Sequence, residues 1–100
     1  MIEIRCGKNE IDIKGHAEYG EAGKDLVCCA VSTLFFTLVD NLNEMPLNHL
    51  EINHSNGLGY VKAVTWQENK TVNTMFDFTI KGFELIAYNF PEYVKVSREG

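Results

Sequence analysis

Asp25-Leu26-Val27-Cys28-Cys29-Ala30-Val31-Ser32-Thr33-Leu34-Phe35-Phe36-Thr37-Leu38-Val39-Asp40-Asn41 is the most apolar stretch of the chain, and its reading decides the fold. Asp25 is a good N-cap ahead of a long apolar run, so a helix is expected to open there and to reach about Asn41. Its apolar side chains surround the axis almost completely. Such a helix is either central and buried or shares a face with another chain. Ser32, Thr33, Thr37 and Asp40 interrupt the run, which reads as too short and too polar to span a membrane.

On the N-terminal side the pattern changes period. Ile2, Ile4 and Cys6 alternate with Glu3 and Arg5, the signature of a half-buried strand. Gly7 to Glu10 form a turn, and Ile11 and Ile13 resume the alternation, giving a hairpin. On the C-terminal side Leu50 and Ile52 alternate with Glu51 and Asn53. Asn56-Gly57 is a strong hairpin turn, and a fourth strand is expected from Leu58 to Trp66. Val72, Met75, Phe76, Ile80, Phe83, Ile86 and Phe90 recur at helical spacing, predicting a second helix from near Thr71 to Phe90. Pro91 ends it, and Tyr93 to Val96 form a last strand. The order β-β-α-β-β-α-β over residues 1–100 predicts a single α+β domain. It is a two-layer fold with a small antiparallel or mixed sheet and two helices on one side. Phe78 and Leu85 lie off the main stripe of the second helix, as a wider core contact or as a homodimer surface.

Composition narrows the function. The chain has 100 residues and a formal net charge of -5, which argues against nucleic-acid binding and suits a basic partner. No basic stretch followed by an apolar run marks a signal peptide, so a cytoplasmic location is expected. The Asn-x-Ser/Thr sites at Asn53 and Asn69 are then chance matches. Cys6, Cys28 and Cys29 read as free thiols, without the spacing of a zinc site. Gly20-Glu21-Ala22-Gly23-Lys24-Asp25 is not a phosphate loop. Glu18 and Asp25 stand where that motif needs Gly and a hydroxyl residue.

The chemistry-bearing residues gather before and within the first helix. Gly15, Gly20 and Gly23 mark a mobile loop between His16 and Cys28. With Asp25 as N-cap, Cys28 is the third helical residue, beside unpaired N–H groups and the positive end of the helix dipole. That setting favours a thiolate, and the same N–H groups suit an oxyanion. The competing reading of Cys28 is a buried small hydrophobe. His16 can serve as general base to the thiol, or be an ordinary turn histidine. Asp25 either caps the helix or orients His16. Ser32, one turn after Cys28, faces substrate or bonds back to its own helix carbonyl. Tyr19 lines a substrate groove or covers the core. Cys29, rotated by about 100° from Cys28, is expected to point into the core, as is Cys6. His49 and His54 read as surface residues.

The string Gly15-His16-Ala17-Glu18-Tyr19-Gly20, then Gly23-Lys24-Asp25-Leu26-Val27-Cys28, then Val31-Ser32, resembles the ribosomal-processing cysteine proteases, the Prp family. Pro91-Glu92-Tyr93-Val94-Lys95-Val96 is similar to that family's C-terminal strand. The resemblance implies a homodimeric cysteine endopeptidase. Its substrate would be the N-terminal extension of large-subunit ribosomal protein twenty-seven, cut after aromatic residues. The family's catalytic His and Cys fall on His16 and Cys28, and its motif Asp and Ser on Asp25 and Ser32. Its movable loop maps to Ala17 through Lys24, including Tyr19, Gly20 and Gly23. No cofactor or metal is implied. Cys29 departs from the small apolar residue usual at that place. The alternative is a non-catalytic ribosome-associated module that binds a basic ribosomal protein tail in the same groove. A thiol redox sensor using Cys28 and Cys29 is a third reading, weakened by the lack of a separated resolving thiol.

Overall fold

A computed structural model describes residues 1–15, 22–55 and 57–99, with backbone alone for residues 22–25. The elements are β1 (Ile2–Gly7), β2 (Glu10–Lys14), α1 (Ala22–Asn43), β3 (His49–Ser55), β4 (Leu58–Val64), α2 (Lys70–Asn89) and β5 (Val94–Arg98). This is the expected order. The strands form one sheet, β3-β4-β2-β1-β5. Only the β1–β5 pair is parallel, so the sheet is mixed.

The period-two pattern places the layers. Ile2, Ile4 and Cys6 of β1, Ile11 and Ile13 of β2, Val61 and Ala63 of β4 and Val94 of β5 are buried on one face. The helices supply the other half of the core. Val27, Val31, Phe35, Leu38, Val39 and Leu42 come from α1, and Val72, Phe76, Ile80 and Phe83 from α2. Each large apolar side chain buried this way contributes roughly 1.5–3 kcal/mol. The opposite face is polar, with Tyr60 donating to the Glu10 carboxylate at 2.5 Å. Asn69 caps α2 by accepting from the Val72 N–H at 3.1 Å. In the β3–β4 hairpin Gly57 has φ +78°, which a tight primed turn favours. Asn56 lies outside the described residues.

Two expectations about the helices change, the start of α1 and its membrane-span length, and two alternatives narrow. Helix α1 begins at Ala22, so Asp25 is its fourth residue and not its N-cap. Ala22 and Lys24 are good helix formers, and the helix carries the cost of Gly23 at roughly 1 kcal/mol. Helix α1 is also not enclosed, because Leu26 is 60% and Phe36 42% exposed. Its stretch Leu26–Asn43, with mean hydropathy 1.5, does reach the length and apolarity of a membrane span. Part of that apolarity is spent on the sheet, through the inward row from Val27 to Leu42. Finally, Phe78 and Leu85 are no part of the core, being 76% and 63% exposed.

Candidate functional site

The N-terminal half of α1 does not seal against the sheet. A cavity of about 470 Å³ lies between them, where β1 and β4 begin and β2 and β3 end. Ile2, Ile13, Val31, Phe35, Phe36 and Leu58 make it mostly apolar, and no charged side chain lines it among the described residues. Its polar groups are Cys28, Ser32, His54 and Ser55. Two of these were expected together. Cys28 and Ser32 are one helical turn apart, and both face the cavity. The Cys28 thiol is half-buried. It sits on the flank of the helix, between the core row and solvent.

The start of α1 moves that thiol away from the helix end. Counting from Ala22, Cys28 is the seventh helical residue rather than the third. The free N–H groups belong to the first four residues, and the dipole's influence fades within the first turn. The N–H groups at the helix start are therefore not the oxyanion donors for this sulfur. A different donor is at hand. Ser32 Oγ has no bond back to its own helix, whereas Thr33 and Thr37 donate to the carbonyls of Cys29 and Thr33 at 2.7 and 2.6 Å. Among the described residues the Ser32 hydroxyl has no hydrogen-bond partner, and it lines the cleft.

The other thiols separate cleanly. Cys6 is buried as expected, and burial pushes its thiol up to about 11. Cys29 is exposed, against expectation. The core direction of α1 runs along Val27, Val31, Phe35, Leu38 and Leu42, and a step of about 100° per residue carries Cys29 to the opposite side. The described chain halts at Gly15, which lines the cavity one residue before His16. His16, Tyr19 and Gly20 lie outside the described residues. Gly23 and Asp25 are described as helix backbone alone, so with capping ruled out by the helix start, the orienting role weighed for the Asp25 side chain is not placed.

His54 is the residue that sequence reading missed. It is exposed, as a surface histidine would be, yet it stands on the cavity wall. In the β3–β4 register Leu50 faces Ala63, Ile52 faces Val61 and His54 faces Gly59, all on the helix side. Its ring meets Phe36 edge-on, with centroids 4.7 Å apart and planes at 72°. The parity of Leu50 and Ile52, carried two residues further, was the signal that could have placed it.

The family model of Cysteine protease Prp matches residues 1–95. A curated relative, the ribosomal processing cysteine protease Prp of Mycoplasma genitalium, is 47% identical over 36 residues. That aligned stretch covers 36% of this chain and 36% of the relative. Among solved structures, an essential ribosomal processing protease Prp from S. aureus, in complex with a covalently linked product peptide, superposes with a TM-score of 0.84. It is 20% identical and covers 99% of this chain and 100% of its own. A Streptococcus mutans protein superposes with a TM-score of 0.70 at 28% identity, over 97% of this chain and 90% of its own.

Proposed function

Because this chain belongs to the Prp family of cysteine proteases, we propose that it is a cysteine endopeptidase with Cys28 as nucleophile and His16 as general base. The observation that carries this reading is the cleft itself. The Cys28 sulfur and the Ser32 hydroxyl open together into an apolar trough large enough to take peptide side chains. The Cys28 thiolate attacks the scissile carbonyl and His16 carries the thiol proton to the leaving amine. Ser32 donates a hydrogen bond to the developing oxyanion, the part first assigned to the helix start. Water then attacks the thioester, gives a proton to His16 and expels the Cys28 thiolate, releasing the acyl half of the peptide as its acid.

The finer reading follows the family. The substrate is the N-terminal extension of large-subunit ribosomal protein twenty-seven, processed in the cytoplasm. An apolar cleft suits an extension with aromatic residues at the cut, and a net charge of -5 suits a basic ribosomal protein. The enzyme works as a homodimer. Its surface is the outward side of the helix layer, where Phe78 and Leu85 of α2 stand exposed and Thr37 of α1 lines a shallow cavity with Phe78.

The test is incubation with the extended ribosomal protein and mass spectrometry of the products. The wild-type chain is expected to release one N-terminal peptide. Cys28→Ala should release none yet still bind the peptide, and His16→Ala should slow release by orders of magnitude without unfolding. Undiminished cleavage by Cys28→Ala would overturn the assignment. Binding without cleavage by the wild type would make the chain a binding module.

A further inference from the structure

The imidazole of His54 is oriented by one ring contact and has no hydrogen-bond partner among the described residues. That contact is edge-on with Phe36 at 4.7 Å. His54 shares the cavity with Cys28. Across the strand pair from it is Gly59, which places no side chain against the imidazole. A Cβ at Gly59 would lie 3.5 Å from the Phe35 ring, filling part of the cleft floor.

A peptide seated in this cleft faces a definite problem. The walls offer apolar surface, so apolar side chains enter at a gain. The N–H and C=O groups of the peptide backbone lose water in the same step and require partners. Among the described residues the cleft holds few polar groups, and the mechanism occupies Cys28 and Ser32. A neutral imidazole carries one donor and one acceptor, which suits a backbone N–H or C=O.

We propose that His54 is a substrate-positioning residue, which hydrogen-bonds the backbone of the substrate peptide on the cleft wall shared with the nucleophile. The proposal rests on the protease reading of the same cleft. Because the partner is backbone, its contribution is independent of the substrate's side chains. It acts on binding rather than on the chemical step.

Steady-state cleavage of an extended ribosomal protein peptide separates the outcomes. Cys28→Ala comes first, since a wild type that does not cleave, or a Cys28→Ala that does, removes the protease reading itself. With that control passed, His54→Ala is expected to raise KM about five- to tenfold, the worth of one neutral hydrogen bond, and to leave kcat within about twofold. His54→Phe keeps the ring contact with Phe36 and loses the hydrogen bond, so it should behave like His54→Ala. His54→Asn keeps a donor and an acceptor and should recover most of the loss. The KM effect should hold within about twofold when the apolar residues of the peptide are exchanged. Thermal melts confirm folding, and direct binding to the Cys28→Ala background gives the same readout without turnover. A wild-type KM in His54→Phe would show that the ring only packs. A fall in kcat at constant KM would place His54 in the chemistry, and either result overturns the proposal.

Discussion

Replacing Gly15 by alanine tests the geometry that leads into the site. The Gly15 N–H donates to the Gly57 carbonyl at 3.0 Å, and its φ is +98°. A Cβ at this position would lie 2.3 Å from the Met1 carbonyl oxygen, a backbone atom with no rotamer to change. Ordinary carbon contacts lie near 3.5 Å or beyond, so the chain must move by about 1 Å. The positive φ costs an L-residue roughly 1–2 kcal/mol. Moving either strand end strains the Gly15–Gly57 bond or the Ile2 N–H to Tyr93 carbonyl bond, which is 2.8 Å long. Losing one of them costs about 1 kcal/mol. The sum is roughly 2–3 kcal/mol. At about 4–8 °C per kcal/mol for a chain of this size, the melting temperature should fall by roughly 10–25 °C. Gly7→Ala is the control. Its Cβ would meet a flexible group, the Glu10 carboxylate, at 3.2 Å, so it should lose less than about 1 kcal/mol. Circular dichroism melts read both, and peptide cleavage at a temperature where both are folded reads the site. Gly15 lines the cleft and precedes His16, so Gly15→Ala should also lose activity in the folded state. A melting temperature within about 3 °C of the wild type would refute the argument.

Two further outcomes follow from burial and exposure. Burial raises the Cys6 thiol from its ordinary value near 9 to about 11, so the folded chain keeps that proton while the unfolded chain loses it. This contribution is complete below about pH 9, and stability should fall as pH rises from 9 to 11, by roughly 3 kcal/mol at most. The Glu10 hydrogen bond raises Tyr60 to about 12 from 10, so its own loss begins only above pH 10. Cys6→Ala should flatten the slope between pH 9 and 10 in denaturant titrations, and Tyr60→Phe should leave it. For the proposed dimer, Phe78→Glu with Leu85→Glu should give a monomer by light scattering. The melting temperature should fall only by what the partner contributes by mass action, because neither side chain enters the core of the monomer.

The fold was readable in the sequence because its two periods are nearly uncorrupted. Ile2, Ile4 and Cys6 alternate cleanly, and so do Leu50 and Ile52, while the second helix carries one apolar stripe. Cys28 and Ser32 could be paired because a spacing of four fixes a shared helix face whatever the helix packs on. The first helix was harder, because nearly every position from Leu26 to Val39 is apolar or small and the pattern points nowhere. Without a direction, Cys29 could be assigned inward, although the packed row of Val27, Val31 and Phe35 turns it out. The same lack of direction hid the start of the helix. Asp25 is a good cap by type, but residue type says where a helix can begin, and packing and propensity decide whether it has begun already.

At His54 a local rule is adequate for the side chain's direction and silent on its surroundings. Alternation from Leu50 and Ile52 puts His54 on the helix side with no knowledge of the fold. What alternation cannot supply is the neighbour. Phe36 reaches it only because α1 crosses back over the sheet to bring in β3 as an edge strand, a tertiary fact. Beyond the end of that helix cover the inward side of β3 meets solvent, so His54 is exposed and inward at once. An edge strand's inward residue near a cleft therefore combines access to ligand with a fixed orientation. A surface side chain normally lacks the second and a core side chain the first.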